Sequence, residues 1–188
     1  AIAVGADSIA SAESTAIGAS ATASGEGALA TGQRSSASGR GAIASGFAAR
    51  ASGTNSLALG SDASASSEAM AVGSSAIATG EGAIATGQNA SATGEGALAY
   101  GPNAIATNDN TLAIGSSAFA NGTNSYAIGV DAIANGQQAL AIGSGARAEG
   151  FNTDLVAVGT KATARGTNST ALGAYAYADG VNALAVGA

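Results

Sequence analysis

The chain has 188 residues, a net charge of −6, no Cys or His, and 29 glycines against a single proline. Six scattered basic residues cannot form a nucleic-acid-binding surface, and the absence of Cys and His excludes a zinc site and the commonest general base. Most of the hydrophobic content is Ala, which buries little area, so one copy cannot build a thick core. Charged residues make up only 10% of the sequence, which argues against a disordered chain.

A glycine that closes an Ala-x-Gly triplet recurs from one end of the chain to the other. Ten of its thirteen intervals are 14 residues long, two are 13 and one is 16. A fixed short period predicts a stack of similar structural units. We therefore expect one repeat domain over residues 1–188, with about 13–14 rungs. The glycines are Gly5, Gly18, Gly32, Gly46, Gly60, Gly73, Gly87, Gly101, Gly115, Gly129, Gly143, Gly159, Gly173 and Gly187.

Each repeat predicts two short strands joined by two turns. In residues 18–32 the segments 21–24 and 28–31 alternate with period two, and Gly or Ser flanks both. A second glycine follows the first by seven residues, as at Gly25, and Gly or Asn recurs two residues later, as at Gly27. Both types accept positive φ, so we expect this turn to need it. Helices are disfavoured, because each glycine would cost a helix interior about 1 kcal/mol.

The side chains of a repeat divide into two faces. The middle residue of the second strand is always Ala, as at Ala30, and the first strand carries small residues at alternate positions, as at Ala118 and Ala120. We expect these columns to face an interior too narrow for larger side chains. Two strands per rung with Ala pointing inward predict an all-β fold, a flattened parallel β-roll or solenoid with rungs about 4.8 Å apart.

The outward positions of the second strand are apolar along the whole chain. Of 28 such positions, 23 are aliphatic, Met or Tyr. Each large side chain is worth about 1.5–3 kcal/mol when fully buried, and a monomer rarely exposes so long an apolar stripe. We expect three or more chains to pack through this face; a separate cap or domain is the alternative cover. The expected interface comprises Leu57, Leu59, Met70, Val72, Leu112, Ile114, Tyr126, Ile128, Leu140, Ile142, Val156 and Val158.

The outward positions of the first strand are mainly polar. One column holds Ser or Thr in eight successive repeats, from Ser11 to Thr107. Beside it, Ile105, Phe119 and Ile133 place apolar residues in three consecutive repeats. They either extend the edge of the expected interface or form a shallow ligand patch. The 16-residue interval adds two residues around Phe151, which we include in that patch, although such an insertion can also be a tolerated bulge.

Several repeats resemble a known motif. The sequences Asn-Ser-Tyr-Ala-Ile-Gly at 124–129, Asn-Ser-Leu-Ala-Leu-Gly at 55–60 and Asn-Ser-Thr-Ala-Leu-Gly at 168–173 resemble the Asn-Ser-Val-Ala-Ile-Gly repeat of YadA-like heads in trimeric autotransporter adhesins. The resemblance implies a parallel homotrimer of left-handed β-rolls, displayed from the outer membrane on the bacterial cell surface. It also implies attachment to host cells or extracellular-matrix proteins, and possible autoagglutination. The chain looks like a segment of a longer protein, without the stalk or membrane anchor of that family.

No catalytic arrangement of residues is recognisable. The carboxylates fall mostly in turns, and the glycine spacing matches neither a dinucleotide fingerprint nor a P-loop. We predict a non-catalytic binding module without cofactor or metal, and without nucleic-acid or membrane contact by this segment. The alternative functions are an ice-binding solenoid, suggested by the Ser/Thr column, and a purely structural spacer.

Overall fold

The computed structural model describes residues 1–11, 13–150 and 154–187. This part of the chain contains β-strands and turns, with no helix of the length and apolar character needed to cross a membrane. The residues group into two compact units, Ala1–Ala92 and Thr93–Ala188, called unit 1 and unit 2. In both, a three-residue strand (an A strand) alternates along the chain with a two-residue strand (a B strand).

The strands of unit 1 follow the predicted order. Its A strands are β1 (Ile2–Val4), β3 (Thr15–Ile17), β5 (Leu29–Thr31), β7 (Ile43–Ser45), β9 (Leu57–Leu59), β11 (Met70–Val72) and β13 (Ile84–Thr86). Its B strands are β2 (Ile9–Ala10), β4 (Thr22–Ala23), β6 (Ser36–Ala37), β8 (Arg50–Ala51), β10 (Ser64–Ala65), β12 (Ile77–Ala78) and β14 (Ser91–Ala92).

Unit 2 repeats the same alternation. Its A strands are β15 (Leu98–Tyr100), β17 (Leu112–Ile114), β19 (Tyr126–Ile128), β21 (Leu140–Ile142), β23 (Val156–Val158), β25 (Thr170–Leu172) and β27 (Leu184–Val186). Its B strands are β16 (Ile105–Ala106), β18 (Phe119–Ala120), β20 (Ile133–Ala134), β22 (Arg147–Ala148), β24 (Thr163–Ala164) and β26 (Tyr177–Ala178).

Within each unit, every strand pairs in parallel with the strand of the same type in the next rung. In unit 1, Ala16 of β3 lies opposite Ala30 of β5, one repeat further along the chain. The backbone hydrogen bonds continue beyond the strand ends, as when the Ile9 amide donates to the Ala21 carbonyl at 2.8 Å. The parallel β-solenoid with rungs of about 14 residues, expected from the sequence, is therefore confirmed.

The interior is built almost entirely of alanine. All the buried apolar residues described are Ala except one, Leu155, which has no exposed surface. Leu155 precedes β23 at the position that Ala139 holds before β21. The inward columns predicted from the sequence hold Ala here as well, at Ala157 and Ala162, and Leu155 belongs to a further inward column that was not predicted; at that position the interior is wider than we expected. The exception falls in the interval that contains two additional residues.

Buried hydroxyl groups in the interior satisfy turn carbonyls. Ser56, the serine of one Asn-Ser motif, donates its Oγ to the Gly53 carbonyl three residues earlier at 2.7 Å. Ser35 makes the same kind of bond to Gly32 at 2.8 Å. A small hydroxyl residue at this position therefore fits the interior and can close the preceding turn, as expected for a buried polar group. Ser169, the serine of another Asn-Ser motif, is the exception, because its buried Oγ makes no hydrogen bond within the described part of the chain.

Both turns of a rung contain a residue with positive φ. In one turn this is the Gly or Asn predicted from the sequence, as at Gly27 (φ 67°) and Asn55 (φ 53°). In the other turn the position is held by varied residues, including Arg34 (φ 60°) and Tyr175 (φ 60°). The sequence gives a weaker sign of the second requirement. Asn, Asp or Gly holds this position in some rungs, as at Asn89, Asp131 and Gly145, but Arg34 and Tyr175 are not residue types that favour the left-handed region.

The glycine columns also allow close stacking of the turns, and the column that contains Gly18 combines this with a positive φ, 135° at Gly18. A Cβ on Gly18 would lie 2.5 Å from the carbonyl oxygen of Gly32, and one on Gly39 would lie 1.9 Å from that of Gly53. Atoms at such distances overlap, and the obstacle is backbone rather than a flexible side chain. Gly27, by contrast, has no atom within 4 Å of the position of its missing Cβ.

Replacing Gly39 by Ala is therefore expected to destabilise the fold strongly, at or beyond the upper end of the about 1–3 kcal/mol that overpacking costs. Gly27→Ala is the matched control, because it meets only the cost of positive φ, about 1–2 kcal/mol. Urea denaturation followed by circular dichroism measures both. Equal losses of unfolding free energy in the two variants would show that close stacking of the rungs does not explain the need for glycine at position 39.

Candidate binding faces

The outward side of the A strands, called the A face, is apolar in both units. None of the twelve residues expected at an interface is buried in the chain, and Ile114 and Tyr126 are 38% and 42% exposed. In unit 2 the register places Leu112 opposite Tyr126 and then Leu140, so that the side chains form rows from rung to rung. Leu57 lies opposite Met70 in the same way in unit 1. The A face thus presents large apolar groups to the outside of each unit.

The outward side of the B strands, called the B face, carries the predicted apolar patch in unit 2. Ile105 lies opposite Phe119, and Phe119 opposite Ile133, on the neighbouring strands β16, β18 and β20. All three side chains are half-buried. The structure therefore brings together three of the four residues assigned to this patch. The fourth, Phe151, lies outside the described residues.

A row of hydrogen-bonded side chains runs beside this patch. Thr107 Oγ1 donates to Asn121 Oδ1 at 2.6 Å, and Asn121 Nδ2 donates to Asn135 Oδ1 at 2.7 Å. We call these three residues the amide row. Each follows a B strand by one residue, so its side chain lies on the same face as the patch residue two positions earlier. The sequence indicated only a change from Ser or Thr to Asn, because the bonds depend on side chains 14 residues apart meeting across the stack.

Charged and aromatic side chains occupy the next rungs of the B face. Glu149 accepts two hydrogen bonds from Arg147, at 2.9 and 2.7 Å, and lies 3.9 Å from the Arg165 guanidinium. The Arg165 guanidinium in turn lies 5.9 Å from the centre of the Tyr177 ring. Because the two arginine side chains are more than 40% exposed, these ion pairs contribute little to stability.

The Ser/Thr column occupies the corresponding position in earlier rungs. Ser24, Ser38 and Ser52 are exposed, and in unit 2 Thr93 Oγ1 donates to the Thr107 carbonyl at 3.0 Å. The amide row therefore occupies the same position of the repeat as the Ser/Thr column. Among the described residues no group of three or more acidic side chains is arranged to hold a metal ion.

These features define the chain as a repeat-built β-solenoid whose chemistry lies on its outward faces. A family model described as the YadA head domain repeat, in two copies, matches residues 12–35, 37–63, 65–90, 92–118, 120–146, 156–176 and 164–188. The chain therefore belongs to the YadA head family, a family of non-catalytic adhesin domains.

A solved structure agrees with this assignment. The chain is similar to the collagen-binding domain of the Yersinia adhesin YadA, with 26% sequence identity and a TM-score of 0.58. The match covers 72% of this chain and 68% of the Yersinia chain. No curated protein matches the sequence.

Proposed function

We propose that the chain is the head of a trimeric adhesin on the bacterial cell surface, which attaches the cell to extracellular-matrix proteins such as collagen. The observation that carries the proposal is an apolar A face in a chain whose interior is built almost entirely of alanine. The similarity to a collagen-binding head supports the ligand class. Host-cell attachment and autoagglutination are further activities that such a surface fibre could provide.

The proposed trimer follows from the free-energy cost of leaving the apolar A face exposed to water. An exposed apolar surface of this length favours association, because burying it removes apolar area from water. The twelve predicted interface residues would then pack against their counterparts in two other chains. The B face would remain on the outside of the trimer, where weak contacts on three chains could combine through avidity.

Light scattering over a dilution series tests the trimer. The wild-type protein should keep the mass of three chains, and Ile114→Asp should move it towards the 17.3 kDa of one chain. A buried, unpaired carboxylate costs more than the about 1.4 kcal/mol that corresponds to a tenfold change in affinity. The protein concentration at which half of the trimer has dissociated should therefore rise at least tenfold.

The matched control is Ile77→Asp, since Ile77 is an outward isoleucine of similar exposure, 42%, on the B face of unit 1. This variant should keep the wild-type mass. A wild-type protein that is monomeric throughout the series would refute the proposed assembly, and a separate cap would then be the better account of the A face.

Adhesion is expected to depend on the B face patch. Phe119→Ser should reduce binding to collagen-coated surfaces about tenfold or more, because three copies of the contact are lost together. The mass of the protein should not change. Ile77→Ser, at the same strand position in unit 1, is the control and should bind normally.

Two results would contradict this assignment. If Phe119→Ser dissociates the protein, the patch belongs to the edge of the interface instead. If the purified protein ignores collagens, fibronectin and laminin but shows thermal hysteresis at micromolar concentration, the ice-binding alternative replaces the adhesin.

A further inference from the structure

A polar groove of about 490 Å³ lies along the amide row in unit 2. This volume falls within the about 300–1,000 Å³ typical of small-molecule sites. Every lining residue within the described part of the chain is polar or Gly, and the two glycines, Gly122 and Gly150, contribute no side chain. The side chains that line it are Asn108, Asn121, Thr123, Asn135, Gln137 and Glu149.

Hydrogen-bonding capacity remains open in this groove. The amide row ends at Asn135, whose Nδ2 has no hydrogen-bond partner within the described part of the chain. The same holds for the side chains of Thr123 and Gln137. Amide and hydroxyl groups can both donate and accept, and a sugar hydroxyl does the same. The groove therefore offers complementary partners to a ligand that carries several hydroxyl groups.

The charge of the groove favours a neutral ligand. Its one ionisable lining residue is Glu149, whose carboxylate is held by Arg147 at 2.7 Å and approached by Arg165 at 3.9 Å. No Lys or Arg is among the lining residues described. An anionic sugar would lie near the negatively charged Glu149 carboxylate, and both arginines near it are already paired with Glu149. Removing the sugar's charged group from water would therefore be unfavourable.

The neighbouring apolar patch complements a sugar ring. Phe119 and Ile133 begin strands β18 and β20, and Asn121 and Asn135 directly follow the same strands, so the apolar and amide rows run side by side on one face. A pyranose has an apolar C–H face and a rim of hydroxyl groups. Such a ring can rest on the Phe119 side chain while its hydroxyls reach the amide row, which combines apolar contact with a few orienting polar groups.

The backbone argues against an extended peptide as the occupant. Peptides commonly bind sheets by adding a strand to a free edge. Along this surface the strand amides are already used between rungs: Ile105 donates to the Ala118 carbonyl and Phe119 to the Ala132 carbonyl, each at 2.8 Å. A peptide would have to bind through side chains alone.

We infer that this groove, together with the neighbouring apolar side chains of Phe119 and Ile133, is a binding site for neutral oligosaccharides. The inference deepens the proposed function and rests on it, because it names a glycan of the matrix or host surface as the group recognised by the B face. Three such grooves on one trimer would convert weak single-site affinity into firm attachment.

Binding of the purified protein to immobilised oligosaccharides tests the inference. The probes are neutral oligosaccharides ending in galactose, glucose, mannose or N-acetylglucosamine, with sialylated and sulfated counterparts. We expect binding to one or more neutral probes, and at least a tenfold loss in the double variant Asn135→Ala and Gln137→Ala. The matched control, Ser38→Ala and Thr54→Ala, changes the same two repeat positions in unit 1 and should bind normally. Equal thermal melting of all three proteins shows that the fold is kept.

A second measurement separates this inference from the proposed function, using collagen before and after enzymatic removal of its glycans. Undiminished binding to the deglycosylated collagen, with no neutral probe bound, would overturn the glycan site and leave the adhesin intact. If the groove variant also lost binding to deglycosylated collagen, the occupant would be a peptide and the inference would be wrong. A preference for sulfated or sialylated probes would overturn the neutral ligand class. Glycan binding without any collagen binding would keep the site and refute attachment to collagen.

Discussion

The close approach of successive rungs at their turns is the constraint on which this fold depends. Parallel backbone hydrogen bonds between neighbouring strands set the rung separation, and at that separation a Cβ on Gly18 or Gly39 would overlap a carbonyl of the next rung. At Gly39 stacking requires glycine, and Gly41 two residues later is favoured because of its positive φ of 64°; Gly18 meets both requirements, since its own φ is 135°. Stacking excludes a Cβ atom, whereas positive φ restricts the backbone conformation, and both requirements favour Gly in the turns.

The flattened rung reverses the usual distribution of apolar side chains. The interior is lined almost entirely by Ala, with Leu155 the one large apolar side chain buried among the described residues, and large aliphatic residues such as Leu112 and Ile114 lie on the outward side. In a globular protein these residues would form the core; here they can be buried only by another chain or domain. The proposed self-association would follow from this repeat geometry, and it would leave the B face available for ligands.

Function in such a repeat protein depends on local departures from the pattern. The stacked backbone is nearly the same in every rung, so specificity must come from outward side chains that change from rung to rung. In unit 2 the B face replaces hydroxyl residues with Asn121 and Asn135 and adds Phe119 beside them. This places apolar contact, amide hydrogen bonding and a compensated carboxylate on adjacent rungs, an arrangement suited to binding rather than catalysis.

The amino-acid pattern alone predicts the strands, their alternation, the inward alanines and the outward apolar rows, because each signal is local and is repeated from rung to rung. It also indicated the apolar patch, since Ile105, Phe119 and Ile133 stand out in a polar column. The burial of Leu155, the positive φ of Tyr175 and the hydrogen bond from Asn121 to Asn135 are evident only in the folded chain. The 14-residue period predicts which positions stack on one another, but the backbone angle of a turn, the width of the interior and the rotamers that let two side chains bond depend on how neighbouring rungs pack.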